Sequence, residues 1–310
     1  MSKTVKIGAT SWKSGPTWTA KALCEQAEIA ESIGLHSFWL PENHFGDVRT
    51  MPSPLTLLAA ASATTSRIKL GTVSYLIPIR HPIQAAEEVA VLDHLCEGRL
   101  ILGVGRGIQG SVFLAFDLPS KDKRKRFSLN LEIMSKAWSG EAILEDAQGD
   151  AVYLAPLPVQ KPHPPIWVAA FGPLALEQVG RLGLPYLASP VETLATLRSN
   201  YDKYHQSVLD AGHEAMKTIP VMRTVYVTEN RDEADSVKLA LSKTAASIAR
   251  DESATVDDWT IIGDSHFVKD QLARYIEELG MTHLIASGRL PGLTADDVIR
   301  SHAALLECSV

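Results

Sequence analysis

Eight short apolar runs of strand type recur along the chain, and each is followed by a stretch of helical periodicity. This alternation restricts the fold more than any other feature. Strand–helix–strand order sets neighbouring strands parallel and lays the helices on the sheet faces. The runs are 5–10, 36–40, 68–75, 100–104, 166–170, 186–188, 220–227 and 283–287. Between them, Leu23, Ala27, Ala30 and Ile33 share one helical face, as do Phe127, Leu131, Met134 and Trp138. Ser53-Pro54, His81-Pro82 and Thr294 with Asp296 and Asp297 mark helix starts. A doubly wound sheet would show the same alternation, but a count of eight favours a closed barrel. The expectation is an α/β fold, a single (β/α)₈ TIM barrel with insertions after strands 4 and 7.

The length of 310 residues suits one such barrel, and neither a composition shift nor a long linker divides it, so 1–310 is expected to be a single domain. Residues 142–155 have the pattern of a small hairpin around Gln148-Gly149-Asp150. The stretch from Arg250 to Asp264 is polar and weakly patterned, which fits either a lid over the site or a plain surface loop. A net charge of −6 offers no general field for phosphate backbones, so no nucleic acid is expected as partner. The basic run Lys121–Arg126 is read as a solvated lead into a helix. Cys24, Cys96 and Cys308 lack metal-like spacing, and an odd count argues against a disulfide framework. Without a signal-like or membrane-spanning stretch, a cytoplasmic location with no membrane partner is expected.

In a barrel the chemistry gathers at the carboxyl ends of the strands. Those ends read Ser11-Trp12, Glu42-Asn43-His44, Ser74-Tyr75, Gly105-Arg106-Gly107, Phe171-Gly172, Ser189 and Gly288-Arg289. His44 is the candidate for proton transfer, because imidazole changes charge near neutrality. Glu42, two residues earlier in an extended segment, would share its face and either orient the ring or pair elsewhere. A loop histidine without a catalytic task fits the same position. Arg106, between two glycines, suits a grip on phosphate, or equally a salt bridge to a loop carboxylate. The run Gly105–Gly110 matches the dinucleotide pattern G-x-G-x-x-G, but on the fourth strand rather than the first and without a clean amphipathic helix behind it. No H-E-x-x-H helix or G-x-S-x-G turn occurs, and no metal is expected.

The stretch from Leu70 to Pro82, continuing through Ala86-Glu87, Leu92-Asp93-His94-Leu95 and Gly98–Gly107, resembles the third- and fourth-strand signature of luciferase-like monooxygenases. Trp39–Phe45, Gln160–Trp167, Gly183-Leu184-Pro185 and Ile262-Gly263-Asp264 extend the likeness over nearly the whole chain. The resemblance implies a barrel binding reduced flavin mononucleotide (FMN), or in one branch a deazaflavin. By that likeness His44 matches the family's catalytic histidine, although the usual pair of histidines after glutamate is here Asn43-His44. Arg106 matches the arginine on the flavin phosphate, and Val73-Ser74 matches a non-proline cis peptide beneath the flavin ring. Val73, Ser74, Tyr75, Gly105 and Arg106 are therefore expected at the cofactor. Phe171, Gly172, Leu174 and Ala175 join them.

There are two departures from the family pattern. Phe171–Ala175 lacks the usual hydroxyls for the phosphate, so backbone amides at a helix start would have to substitute. Gly105 stands where bacterial luciferase has a reactive cysteine, so light emission from an aldehyde does not follow. The implied function is a two-component monooxygenase. A separate flavin reductase supplies reduced FMN, oxygen is the co-substrate, and one oxygen atom passes to a small organic molecule. The alternatives are deazaflavin-dependent hydride transfer on the same fold and a non-catalytic flavin-binding paralogue. The likeness also implies a homodimer. Trp12, Phe45, Tyr75 and Phe171 suggest an aromatic-lined pocket, or equally packing against the flavin.

Overall fold

A computed structural model describes residues 4–12, 19–46, 50–245 and 254–309. In chain order the strands are β1 (Lys6–Thr10), β2 (Ser37–Leu40), β3 (Lys69–Thr72), β4 (Tyr75–Leu76), β5 (Leu100–Gly105) and β6 (Leu144–Glu145). They continue as β7 (Ala151–Val152), β8 (Ile166–Ala169), β9 (Tyr186–Leu187), β10 (Pro220–Val227), β11 (Thr260–Gly263) and β12 (His283–Ala286). The helices begin with α1 (Ala20–Ser32), α2 (Pro54–Ser62), α3 (Pro82–Leu95), α4 (Gly110–Ala115), α5 (Lys123–Trp138) and α6 (Pro173–Arg181). The remaining ones are α7 (Leu194–Asp210), α8 (Arg231–Ala245), α9 (Val256–Trp259), α10 (Ser265–Leu279) and α11 (Ala295–Glu307). The fold is α/β with a mainly parallel sheet. Among the described residues, no helix is long and apolar enough to cross a membrane.

All eight runs expected from the sequence are strands. The third is split in two, because the Val73–Ser74 peptide is cis and separates β3 from β4. The hairpin expected in 142–155 is present as antiparallel β6 and β7. A further strand was not expected. Within the polar stretch 250–264, residues 254–264 hold α9 and β11, and β11 pairs in parallel with β10 from Thr224↔Thr260 to Val227↔Gly263. Ile261 and Ile262 are buried, and the flanking Asp257, Asp258 and Asp264 hide this short apolar run from a window average. Residues 250–253 of the same stretch lie outside the described residues.

The chain divides into two compact units. The first comprises Met1–Ser14, Ile29–Trp39 and Trp167–Val310. Its strands are all parallel: β12 lies between β1 and β10, β1 pairs with β2, and β8 pairs with β9. Trp39 stacks on Trp167 at 5.0 Å between ring centroids in its core. Gly8 has to be glycine, since a Cβ there would lie 2.1 Å from Ser37 Oγ. Helix α7 is tied to the sheet by the Tyr201 hydroxyl, which donates to the Pro220 carbonyl at 2.9 Å. Helix α11 is anchored where the Val227 amide donates to Ser301 Oγ at 2.8 Å.

The second unit comprises Gly15–Glu28 and Leu40–Ile166. Here β5 pairs in parallel with β3 and, further along, with β4 (Tyr75↔Val104, Leu76↔Gly105). The Val73 amide donates to the Leu40 carbonyl at 2.9 Å, which brings the end of β2 beside the β3–β4 break. Arg99 is buried and donates to Thr65 Oγ1 and to the carbonyls of Ser62, Thr65 and Ile68, closing the end of α2 onto β3. Asp93, fully buried, accepts from both the backbone and the side-chain amide of Gln160 at 2.8 Å. The helix starts expected at Ser53 and His81 are present, but neither side chain makes a cap hydrogen bond; the following prolines set the first turn. Thr294 and Asp264 do cap α11 and α10 through their side chains.

Candidate active site

Three strand ends meet in the second unit: 40–44 after β2, 72–76 across the β3–β4 break, and 103–107 at the end of β5. Beyond β2 the chain stays extended, and burial alternates. Glu42 and His44 are buried, whereas Asn43 and Phe45 are exposed. Glu42 therefore shares a face with His44, as the spacing predicts, and the two side chains meet, His44 Nε2 to Glu42 Oε1, at 2.7 Å. The carboxylate is held on three sides. Its Oε1 also meets Arg80 Nη2 at 2.9 Å, and its Oε2 accepts from the Leu76 amide at 2.9 Å. A buried carboxyl group held by this many partners fixes the orientation of the imidazole.

The Arg80 guanidinium lies 3.8 Å above the centroid of the Tyr75 ring, and the Tyr75 hydroxyl donates to Glu88 Oε2 at 3.1 Å. Burial pushes the Tyr75 phenol far above its usual range; Arg80 pulls the other way and Glu88 adds to the rise. His44, Tyr75, Arg80 and Glu88 line a cavity of about 390 Å³, together with the start of α2 and Phe116. The His44 ring meets Phe116 edge-on at 5.4 Å. Tyr75, expected with the cofactor residues, belongs to this cavity because its ring turns toward Arg80 on the helix side.

Ser74 points the other way. A Cβ on Gly105 would lie 2.2 Å from Ser74 Oγ, so glycine at the end of β5 is what lets the cis segment close against that strand. The glycine at this site therefore answers a steric need. Arg106 follows, half-buried, with burial and the neighbouring Arg124 both lowering its pKa. Lys123 Nζ donates to the Gly107 carbonyl at 3.3 Å. A half-buried guanidinium at a strand end suits an anion, and Arg124, exposed on α5, adds positive charge nearby. Arg106 is not among the residues lining the His44 cavity, so the structure places these two candidates in adjoining but separate surroundings.

Phe171–Ala175 lies in the first unit, at the start of α6. Gly172 is the N-cap, and its carbonyl accepts from the Ala175 amide at 3.0 Å. The Ala175 amide expected at a phosphate is thus spent inside the chain, and Pro173 has none; Leu174 keeps the amide suited to an anion. Of the expected pocket aromatics, Trp12 is buried and donates from Nε1 to His302 Nδ1 at 2.8 Å, while Phe45 is exposed. Sequence reasoning missed Arg80, which stood within a recognised motif with no role attached; Arg124, in the basic run read as a solvated lead into a helix, is exposed in the first turn of α5. Among the described residues, no group of histidine, cysteine and carboxylate side chains is placed to hold a metal.

The family model described as luciferase-like monooxygenase matches residues 5–283. The chain belongs to that family. The oxygenase component of the flavin-dependent trigonelline monooxygenase of Acinetobacter baylyi is 28% identical over 221 residues, covering 68% of this chain and 60% of that protein. Among solved structures, the oxygenating constituent of 3,6-diketocamphane monooxygenase from Pseudomonas putida, in complex with FMN, superposes with a TM-score of 0.78. It is 19% identical and covers 97% of this chain and 96% of its own. An F420-dependent secondary alcohol dehydrogenase has a TM-score of 0.77 at 16% identity, with 98% of both chains covered. At these identities the two structures speak for the fold alone. The chain spans between 44% and 62% of the length of the first curated relatives it matches.

Proposed function

We propose that this chain is the oxygenase of a two-component flavin-dependent monooxygenase, using reduced FMN and oxygen to oxygenate a small organic substrate. The observation that carries the reading is the half-buried Arg106 guanidinium at the carboxyl end of β5, next to the glycine that seats the cis segment, in a chain of this family. A guanidinium suits a phosphate dianion, and the Ser74–Gly105 contact closes the cis segment against β5 next to it. The donor set thus fits a phosphate-bearing flavin. Arg106 would hold the phosphate, with Arg124 adding positive charge nearby and Val73, Ser74 and Gly105 against the ring. Phe171, Gly172 and Leu174 are carried as cofactor contacts by the family resemblance alone.

Bound reduced flavin supplies the electrons that activate oxygen. The protein supplies position, exclusion of water and proton handling. With the Glu42 carboxylate accepting a hydrogen bond from His44 Nε2–H, Nδ1 is left as the basic nitrogen. His44 accordingly handles a proton at Nδ1 within its cavity, and Glu42 and Arg80 hold it there. A separate reductase fits a chain related to an oxygenase component. The same reading takes residues 1–310 as one (β/α)₈ barrel, which the parallel pairing inside each unit supports.

A deazaflavin is the second reading, favoured by the fold match to an F420-dependent enzyme. Anaerobic titration with reduced FMN and with a deazaflavin, followed by absorbance, separates the two. Reduced FMN is expected to bind at least about tenfold more tightly, a difference of roughly 1.4 kcal/mol, and to draw oxygen uptake when air is admitted. Tight deazaflavin binding without FMN binding would overturn the monooxygenase reading.

A further inference from the structure

We propose that the basic turn 121–126, which opens α5, is an electrostatic entry path that draws the reduced FMN dianion toward Arg106, with Lys121 and Lys125 as its steering charges. The proposal rests on the flavin site above and adds how the cofactor reaches it. Residues 106–126 hold six basic side chains against two acidic ones, Asp117 and Asp122, in a chain whose net charge is −6. The turn is fastened beside the end of β5. Lys123 Nζ donates to the Gly107 carbonyl at 3.3 Å, Arg126 Nε donates to the Pro78 carbonyl at 2.8 Å, and the charge of Arg124 is felt at Arg106. Lys121 and Lys125 are exposed, and neither forms an ion pair among the described residues.

The placement runs against helix physics. The partial positive charge at a helix N-terminus favours acidic residues there and disfavours basic ones. Helices α8 and α11 follow the rule, opening on Asp232-Glu233 and Asp296-Asp297. Helix α5 opens on Lys123-Arg124-Lys125-Arg126 with no acid in its first turn, although further along it Lys136 pairs with Glu132 at 2.7 Å. Folding alone would not select four cations at that end. An unneutralised cluster acts most strongly on encounter, since it raises the local concentration of an anion and with it the association rate. At 0.1 M salt such a field extends about 10 Å, enough for one turn of helix to act on a ligand arriving at the end of β5. The matching partner is a small free dianion, a phosphate-bearing flavin released by a separate enzyme; one turn is too small for a stable protein interface.

Anaerobic stopped-flow mixing of reduced FMN with the wild type and with the double variant Lys121→Gln, Lys125→Gln tests the proposal. Removing two unpaired cations from this end of the helix should leave the melting temperature unchanged or slightly raised. At about 10 mM ionic strength the association rate constant of the variant is expected to be about tenfold lower, with the dissociation rate constant unchanged. The difference should close toward 1 M salt, where the screening length is about 3 Å. Reduced riboflavin, which lacks the phosphate, should associate equally fast with both proteins. Equal association rates for FMN at low salt would overturn the proposal and leave the turn to an acidic protein partner. A loss confined to dissociation would overturn it too, because the lysines would then be holding the phosphate rather than steering it. K121E with K125E extends the series and must slow association further; a rate indifferent to the sign of these charges overturns the proposal. A wild type that binds neither FMN nor deazaflavin would remove the flavin reading itself, whereas binding at a rate indifferent to the lysines removes only the steering.

Discussion

At the scale of single residues, the site depends on one atom that is missing. Gly105 has no Cβ, and Ser74 Oγ occupies the space that one would need. Gly105→Ala must push the β3–β4 break away from β5, an overpacking error that typically costs about 1–3 kcal/mol. The expected result is a lower melting temperature together with weakened FMN binding, measured on the same sample by thermal denaturation and fluorescence titration. Unchanged stability and affinity would show that the contact carries no weight. The residue scale is also where sequence was hardest to read. The Glu42–His44 pairing was legible from spacing of two in an extended segment, whereas the third partner, Arg80, reaches Glu42 only through tertiary structure.

At the scale of elements, two histidines, one of them fully buried, set how the fold responds to acid. His302 on α11 accepts from Trp12, and burial pushes its pKa down to about 4. Burial also pushes His283, at the start of β12, down to about 4, with His36 and Lys6 adding to the effect. An unfolded histidine titrates near 6.5, so the unfolded chain takes up these protons before the native one does. Both histidines thus contribute stability that is fully present above about pH 6.5 and is lost as the pH falls toward about 4. The melting temperature should drop over that interval. His302→Gln, which keeps an acceptor for the Trp12 indole, should flatten the pH dependence; an unaltered slope would contradict the assignment. The eight expected strands were legible because each is a clean apolar run, and β11 was not, because acidic caps on both sides dilute a four-residue strand.

At the scale of the whole molecule, many residues that made the family recognisable are architectural. Asp93 and Gln160 staple the segment before β8 to α3, and Arg99 closes α2 onto β3; none of them lines the His44 cavity. A motif of this kind discloses the fold readily and the chemistry only in part. Arg80, which bears on the chemistry through Glu42, gains its meaning from a neighbour that a linear pattern does not encode. The central claim is that Arg106 holds the phosphate of a flavin. Comparing FMN with riboflavin, which lacks the phosphate, tests it most directly, by fluorescence titration of the wild type and of Arg106→Ala. The account predicts that the wild type prefers FMN by about a hundredfold, the worth of one or two charge-assisted hydrogen bonds, and that R106A loses most of that preference. A wild type that binds riboflavin as tightly as FMN would contradict it.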